Sequence, residues 1–432
     1  MEEDKLKIGL LGLGVVGSGV PMILKEHAEK IAQVTGMDIS VKTALVRDEN
    51  EKARQAEKFD IELTTDIDDI LNDAEIQVVV ELMGKVEPAK TYIEEALKRG
   101  KHVVTANKDL LAQHGGKLVQ LAQENHCDLY YEASVAGGIP ILRTIANSLA
   151  ADNINKILGI VNGTTNYMLT KMVSEGLSYE TALSQAQALG FAESDPTNDV
   201  DGIDAAYKMI ILSQFGFGMN INLDMVTIKG IRGLPIEDVK MAARLGYEIK
   251  LIGSAEKQGD SIYTEVGPML VKREHPLAAV RDEFNAVFID SSGVGESMYY
   301  GPGAGAKPTA TSVVSDIITI AKNLRLGTTG HMFNSYKHKT KITPDNQVMA
   351  KYYLSLEAAD QEGQFLKLAQ IMTDANVGFD QLVQNQEKNE SQTARIVVIT
   401  HTVSKEQMAE VIKNIKATSG FKLLNVMKVL GD

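Results

Sequence analysis

The residues best suited to chemistry are two lysines and a run of carboxylates. In GFAESDPTNDVDGIDAAYK, Glu193, Asp195, Asp199, Asp201 and Asp204 precede Lys208. Asp201, Asp204 and Lys208 are spaced three and four apart, so a helix places them on one face. Asp204 can then hold the Lys208 ammonium while Glu193 reaches in from the loop. The plainer alternative is an exposed helix salt bridge, worth little. A lysine beside a carboxylate and next to the apolar stretch MIILSQFGF has, however, a reason to exchange protons. So many carboxylates also invite a calcium loop, but aligning Gly202 with the glycine such a loop requires puts Lys208 where the bidentate Glu belongs. The second lysine, Lys108, follows Thr105 and Asn107 in VVTANKDLLA, at the carboxyl end of a strand, where open α/β sheets bind ligands. It could instead be a solvated residue behind an Asn107 helix cap, although a cation in a first helical turn opposes the helix dipole.

What these lysines would act with is indicated at the N-terminal end. Gly12, Gly14 and Gly17, with Val15 and Val16 between them, sit in GLLGLGVVG directly after a strand and before the apolar helix 18–25. Gly12 permits the tight turn, Gly14 lets backbone approach a pyrophosphate, Gly17 lets the helix pack, and the helix N-terminus favours the anion. The same glycines could serve only the strand-to-helix turn. An acid closing the second strand would favour NAD, but Val46 is followed by Arg47 and only then Asp48. A guanidinium there suits a 2′-phosphate, favouring NADP with NAD as the alternative; a solvated strand-end charge is the competing explanation.

The elements that must position these residues can be read from periodicity. Strand-like runs at 7–11, 40–46, 77–82, 102–105 and 128–132 alternate with helical spacing at 88–99 and 115–124, the pattern of a covered parallel sheet. From about 154 the rhythm becomes α+β, with a strand at 157–161, a helix at 203–215 and strands at 261–266 and 286–290. A glycine-rich segment, 301–308, precedes a helix at 309–323 that could return to the first domain, and the basic stretch 337–344 reads as a linker. Strands at 351–356, 379–385, 395–400 and 421–429 with helices at 363–373 and 405–417 then give the ferredoxin-like order. The expected fold is α/β, with a Rossmann domain at 1–133 joined by 306–330, an α+β catalytic and oligomerisation domain at 134–305, and a ferredoxin-like domain at 348–432.

Composition narrows the classes. A net charge of −13 disfavours a nucleic-acid partner. The absence of a long apolar run excludes membrane insertion, and no secretion signal is visible, so a cytoplasmic address is expected. The single cysteine, Cys127, suits a reducing compartment and excludes an internal disulfide.

The blocks GLGVVG, VVTANK, YEASVAGGIPI, GIVNGTTNY, GFAESDPTNDVDGIDAAYK and GPGAGAKPTA, in that order, resemble homoserine dehydrogenase across nearly the whole chain. The resemblance implies NAD(P)-linked interconversion of L-homoserine and L-aspartate 4-semialdehyde in threonine, methionine and isoleucine synthesis. It places the proton donor on Lys208, its supporting acid on Asp204 and the second functional lysine on Lys108. Substrate contacts fall on Glu193, Asp199, Gly163 and Thr164, and a cofactor contact on Gly305. It also implies a monovalent cation, usually sodium, at Glu132, Val135, Gly137 and Ile139, where YEASVAGGIP can set carbonyls of a glycine loop facing one carboxylate. A plain Gly-Pro turn is what the residues alone suggest. Phe191 stands where the family often has Tyr, and Lys85 where a second glycine is common. The C-terminal domain resembles an ACT domain, which implies a threonine effector and a homo-oligomer, dimer or tetramer. Its DQEGQF turn departs from the usual Pro-Gly pattern.

Two rivals come from other classes. A thioester-forming semialdehyde dehydrogenase needs a low-pKa cysteine, and only Cys127 is available. A non-catalytic sensor would not need Lys108, Glu193, Asp204 and Lys208 intact.

Overall fold

A computed structural model describes residues 4–334, 338–359, 361–386 and 393–431. Lys337, at the head of the linker stretch, and Asp360, in the DQEGQF turn, lie outside the described residues. The chain forms two compact units: Met1–Gly163 with Asp204–Val226 and Glu283–Thr340, and Thr164–Ile203 with Thr227–Asp282 and Lys341–Asp432.

The first unit opens with β1 (Asp4–Leu11), β2 (Met37–Leu45), β3 (Glu62–Thr64), β4 (Ile76–Glu81), β5 (His102–Thr105) and β6 (Leu129–Tyr130). They form one sheet in the order β3-β2-β1-β4-β5-β6, every neighbouring pair parallel, which is the dinucleotide-binding arrangement. Helices cover both faces of such a sheet, and its central strands carry apolar runs accordingly: Val78, Val79 and Val80 are all fully buried. The short β3 escaped the sequence pattern because three residues show no periodicity. The last expected strand, 128–132, shrinks to Leu129–Tyr130 and turns into a 3-10 helix, Glu132–Ser134. The 21-residue helix Ala306–Leu326 packs on helix Gly19–Glu26. The missing Cβ of Gly19 permits this, since one would lie 2.7 Å from the Ala310 methyl. In the same unit β7 (Ile154–Ile160) pairs antiparallel with a later strand, Phe284–Ser291, which pairs in turn with Gly295–Pro302.

The second unit contains β8 (Thr227–Ile228), β9 (Tyr247–Gln258) and β10 (Ser261–Lys272), the last two forming a twelve-residue antiparallel hairpin. After β11 (Phe284–Ser291) and β12 (Gly295–Pro302) of the first unit come β13 (Met349–Ala359), β14 (Phe379–Gln386), β15 (Thr393–Thr400), β16 (Val403–Ser404) and β17 (Phe421–Val429). With helices Gln364–Asp374 and Lys405–Ala417 these give strand-helix-strand-strand-helix-strand, in the sheet order β17-β13-β15-β14. Leu354, Leu356, Leu368, Met372, Val398 and Val411 fill the core between that sheet and its helices, each worth about 2 kcal/mol in burial. Parallel pairing of β10 with β17, Met269 with Lys428 and Leu270 with Val429, makes these strands continuous with the β9-β10 hairpin. The change of element pattern near residue 348 is therefore not a break in the sheet. Among the described residues no helix is long and apolar enough to cross a membrane.

Candidate active site

The glycine loop follows β1 as its spacing predicts, with the helix beginning at Gly19. Gly12 has φ +99°, which only glycine adopts without strain, and a Cβ on Gly17 would lie 2.0 Å from the Gly12 carbonyl oxygen. Beside Gly14 there is open space. Ser18 makes no side-chain cap, the Gly19 and Val20 N–H groups donate to the Val16 and Gly17 carbonyls at 2.9 and 3.3 Å, and Pro21 has no N–H, so an anion would meet the loop that precedes the helix. Val15, 75% exposed, presents an apolar surface at the loop, whereas Val16 is half-buried. These features fit a dinucleotide pyrophosphate. At the end of β2, Asp48 is occupied in capping the next helix through the Asn50 N–H at 2.8 Å. Arg47 is exposed and has no ion pair among the described residues.

The ends of β4 and β5 are tied together by a buried network. Glu81 accepts the Thr105 hydroxyl at 2.6 Å and the Met83 N–H at 2.7 Å. Burial raises its pKa, opposed by those hydrogen bonds. Thr105 is fully buried, and its hydroxyl also accepts the Asn107 N–H at 3.0 Å. Its side chain therefore orders the turn at the strand end, where the expected cofactor contact lies. Asn107 does cap the helix Lys108–Glu124, through Leu110 N–H at 3.2 Å, and its amide donates to the Lys85 carbonyl at 2.8 Å. The cap and the functional possibility for Lys108 thus coexist: the cap fixes the turn from which Lys108 projects.

Lys108 and Lys208 meet at Asp204. Lys208 Nζ lies 2.8 Å from Asp204 Oδ2, one helical turn away on Ile203–Phe217, and 2.6 Å from the Val161 carbonyl oxygen. Lys108 Nζ lies 3.3 Å from Asp204 Oδ1. Asn162 donates its amide to Asp204 Oδ2 at 2.9 Å. Burial disfavours the Asp204 carboxylate, but Lys208, Lys108 and Asn162 outweigh it and hold the pKa at about 2. The result is one permanently ionised carboxylate orienting two ammonium groups, each still partly open, with side-chain exposures of 32% for Lys108 and 13% for Lys208. Asn162 and the Val161 carbonyl were not singled out in the sequence. Their signal is their place just after β7, where Val161 precedes NGTTNY and Asn162 opens it. Gly163 starts the helix Gly163–Glu175, and a Cβ there would come 2.7 Å from the Glu283 carbonyl oxygen.

The other expected substrate contacts belong to the second unit. Thr164 donates to the Phe191 carbonyl, the Phe191 ring packs 4.9 Å from that of Tyr167, and Glu193 is exposed with its carbonyl held by Gln187 at 3.0 Å. Asp199 is half-buried in the short helix Thr197–Val200.

The expected cation loop carries a buried carboxylate. Glu132 is buried, and its carboxylate accepts the Leu142 and Arg143 backbone N–H groups at 2.8 Å each. Arg143 also binds Asp316, which accepts the Glu132 N–H at 2.9 Å. Burial pushes Glu132 up to about 7 and Asp316 up to about 8, partly relieved by Arg143. The Glu132 carboxylate thus holds the start of the helix Ile141–Arg143. Hard oxygen donors remain in the backbone: Ala136 and Gly137 are both left-handed, with φ of 52° and 46°, and the Gly137 carbonyl accepts the Ser312 hydroxyl at 2.7 Å. Among the described residues no group of three or more His, Cys, Asp or Glu side chains is placed to hold a metal. Gly305 precedes helix Ala306–Leu326 with φ 121°, exposed at its N-terminus.

Cys127 is buried, with its sulfur against the Asn125 and Leu97 carbonyls at 3.4 and 3.7 Å. Burial, with Asp128 adding to it, pushes the thiol up to about 11. Such a thiol is no nucleophile near neutral pH, and a thioester mechanism loses its only candidate.

The chain is similar to known proteins over nearly its whole length. Residues 12–132 match the model described as homoserine dehydrogenase, NAD binding domain, and residues 140–318 the model described as homoserine dehydrogenase. The chain is 48% identical to the homoserine dehydrogenase of Lactococcus lactis, covering 99% of this chain and all of that one. A crystal structure of a homoserine dehydrogenase from Thiobacillus denitrificans superimposes with a TM-score of 0.94 at 35% identity, covering 99% of this chain and 98% of that one. A hyperthermophilic archaeal homoserine dehydrogenase, solved in complex with NADPH, is 28% identical with a TM-score of 0.62, covering 73% of this chain and 97% of that one. The chain belongs to the homoserine dehydrogenase family of NAD(P)-dependent oxidoreductases.

Proposed function

We propose that Asp204 organises Lys108 and Lys208 to move the proton that accompanies hydride transfer between L-homoserine and L-aspartate 4-semialdehyde. The observation that carries this is the convergence of both ammonium groups on one buried carboxylate. The nicotinamide dinucleotide supplies or takes the hydride when bound at the β1 glycine loop. In reduction Lys208 gives a proton to the aldehyde oxygen; in oxidation the neutral amine takes the alcohol proton. Lys108 holds the same oxygen from the other side. Glu193 and Asp199 bind the substrate ammonium, with Gly163 and Thr164 nearby. Arg47, exposed and unpaired among the described residues, favours NADP over NAD, in keeping with the NADPH held by the archaeal relative.

A monovalent cation, sodium by resemblance, would be held by oxygens of Glu132, Val135, Gly137 and Ile139. The C-terminal module is proposed as an ACT domain that senses threonine and supports a dimer or tetramer, in a cytoplasmic enzyme of threonine, methionine and isoleucine synthesis. The test is absorbance at the reduced-nicotinamide band with purified protein, L-homoserine and NADP or NAD, with and without L-threonine. Homoserine-dependent reduction, slowed by threonine, is expected. No reduction with either cofactor at alkaline pH, with sodium present, contradicts the proposal.

A further inference from the structure

The second unit holds a cleft of about 440 Å³ that the reaction does not use. One wall is the loop 229–235 that follows β8, and the other is formed by the end of helix Lys405–Ala417 and by β17. Its volume is within the range of small-molecule sites. Leu234, Ile412 and Leu423 supply apolar lining, and Lys229, Arg232 and Lys416 supply three cations; no carboxylate is among the lining residues. Lys229 Nζ is fixed by Asn425 Oδ1 at 2.7 Å and the Val426 carbonyl at 2.6 Å. Lys416 is exposed and has no ion pair among the described residues. The nearby acids are already matched: Asp238 by Arg395 at 2.6 Å and Asp201 by Arg232 at 2.8 Å. With Arg232 paired to Asp201, Lys229 and Lys416 leave the cleft a positive excess over an apolar floor.

The same loop is fastened to the segment that bears Asp199. Ile231 N–H donates to the Val200 carbonyl at 2.8 Å, and a Cβ on Gly230 would lie 2.1 Å from that oxygen, so only glycine allows the approach. Arg232 Nη2 reaches Asp201 Oδ2 at 3.0 Å and the Thr197 hydroxyl at 3.2 Å, bracketing helix Thr197–Val200. A group that draws Arg232 into the cleft would release that bracket.

We propose that this cleft binds a small monocarboxylate with a branched aliphatic body, and that Arg232 transmits its occupancy to the Asp199 segment as weakened homoserine binding. The coupling rests on the role assigned above to Asp199; the site itself does not. A free amino acid fits poorly, because no lining carboxylate would receive its ammonium.

Isovalerate is the probe, with L-threonine and inorganic phosphate as comparison ligands, measured by calorimetry and by steady-state kinetics on the full chain. Saturable isovalerate binding is expected, weakened about fivefold in Lys416→Gln, a variant with unchanged activity in the absence of probe. Saturating isovalerate should raise the homoserine KM about fivefold with kcat within about twofold, and Asp201→Asn should remove this effect while keeping the binding. No saturable binding, or binding indifferent to Lys416→Gln, overturns the site. Binding that leaves KM unchanged overturns the coupling. An Asp199→Asn variant with normal KM would separately overturn the assignment of Asp199 to the substrate.

Discussion

Replacing Asp204 with Asn keeps the side chain's size and removes the charge that faces Lys108 at 3.3 Å and Lys208 at 2.8 Å. The gap between its pKa of about 2 and the ordinary 3.8 corresponds to roughly 2 kcal/mol of preference for the ionised form in the fold. That net figure, which includes the cost of burial and the Asn162 hydrogen bond, sets the scale of the support the two ammonium groups lose, and they are left repelling one another. If the support acts at the reacting oxygen, homoserine kcat/KM falls by a factor on the order of 30 to 100. Dinucleotide affinity, measured by fluorescence quenching, stays within about twofold because the glycine loop is untouched. The same substitution changes acid stability with a definite sign. A carboxyl whose folded pKa is depressed contributes stability above its unfolded value of 3.8, and loses it as the pH falls through about 2. Wild-type protein should therefore lose about 2 kcal/mol more than Asp204→Asn between pH 4 and pH 2. A variant with kcat/KM within threefold of wild type, or one that loses dinucleotide binding in parallel, refutes the reasoning.

Other consequences are equally open to measurement. Gly17→Ala puts a methyl 2.0 Å from a backbone oxygen and should lower the melting temperature and abolish dinucleotide binding. Gly14→Ala, with open space around it, should keep the melting temperature and lose only dinucleotide affinity; equal destabilisation of both variants would contradict the loop assignment. Arg47→Ala should raise the KM for NADP about fivefold and leave that for NAD nearly unchanged, an exposed charged contact being worth about 1 kcal/mol; parallel changes would remove Arg47 from the 2′-phosphate. Iodoacetamide at neutral pH should leave the native enzyme active, since Cys127 is buried with its thiol pushed up to about 11; rapid inactivation that tracks Cys127 labelling would reopen the thioester route.

Local pattern made some of this architecture legible. The order of β1, glycine loop and helix follows from a glycine spacing that suits a tight strand-to-helix turn. The pairing of Asp204 with Lys208 follows from their separation of one helical turn. Lys108 was harder, because the cap at Asn107 and the projection of Lys108 toward Asp204 read as alternatives in sequence and prove to be one device. What stayed hidden depends on partners distant along the chain. Glu132 reads as a free carboxylate beside glycines, yet Arg143 and Asp316, the latter 184 residues away, decide what it does. Thr105 stands at a strand end where ligands bind, and the acceptor of its hydroxyl, Glu81, is on a strand paired with its own only in the folded sheet. The link between β10 and β17 is equally invisible to periodicity, since it joins two strands about 160 residues apart through two parallel pairs.

The most direct test of the central claim is Lys208→Ala, assayed for homoserine-dependent reduction of NADP alongside dinucleotide affinity. Loss of the group that carries the proton should lower kcat by about two to three orders of magnitude, with the dinucleotide Kd within about twofold. Turnover close to wild type, or loss of turnover and dinucleotide binding together, would contradict the assignment of proton transfer to Lys208.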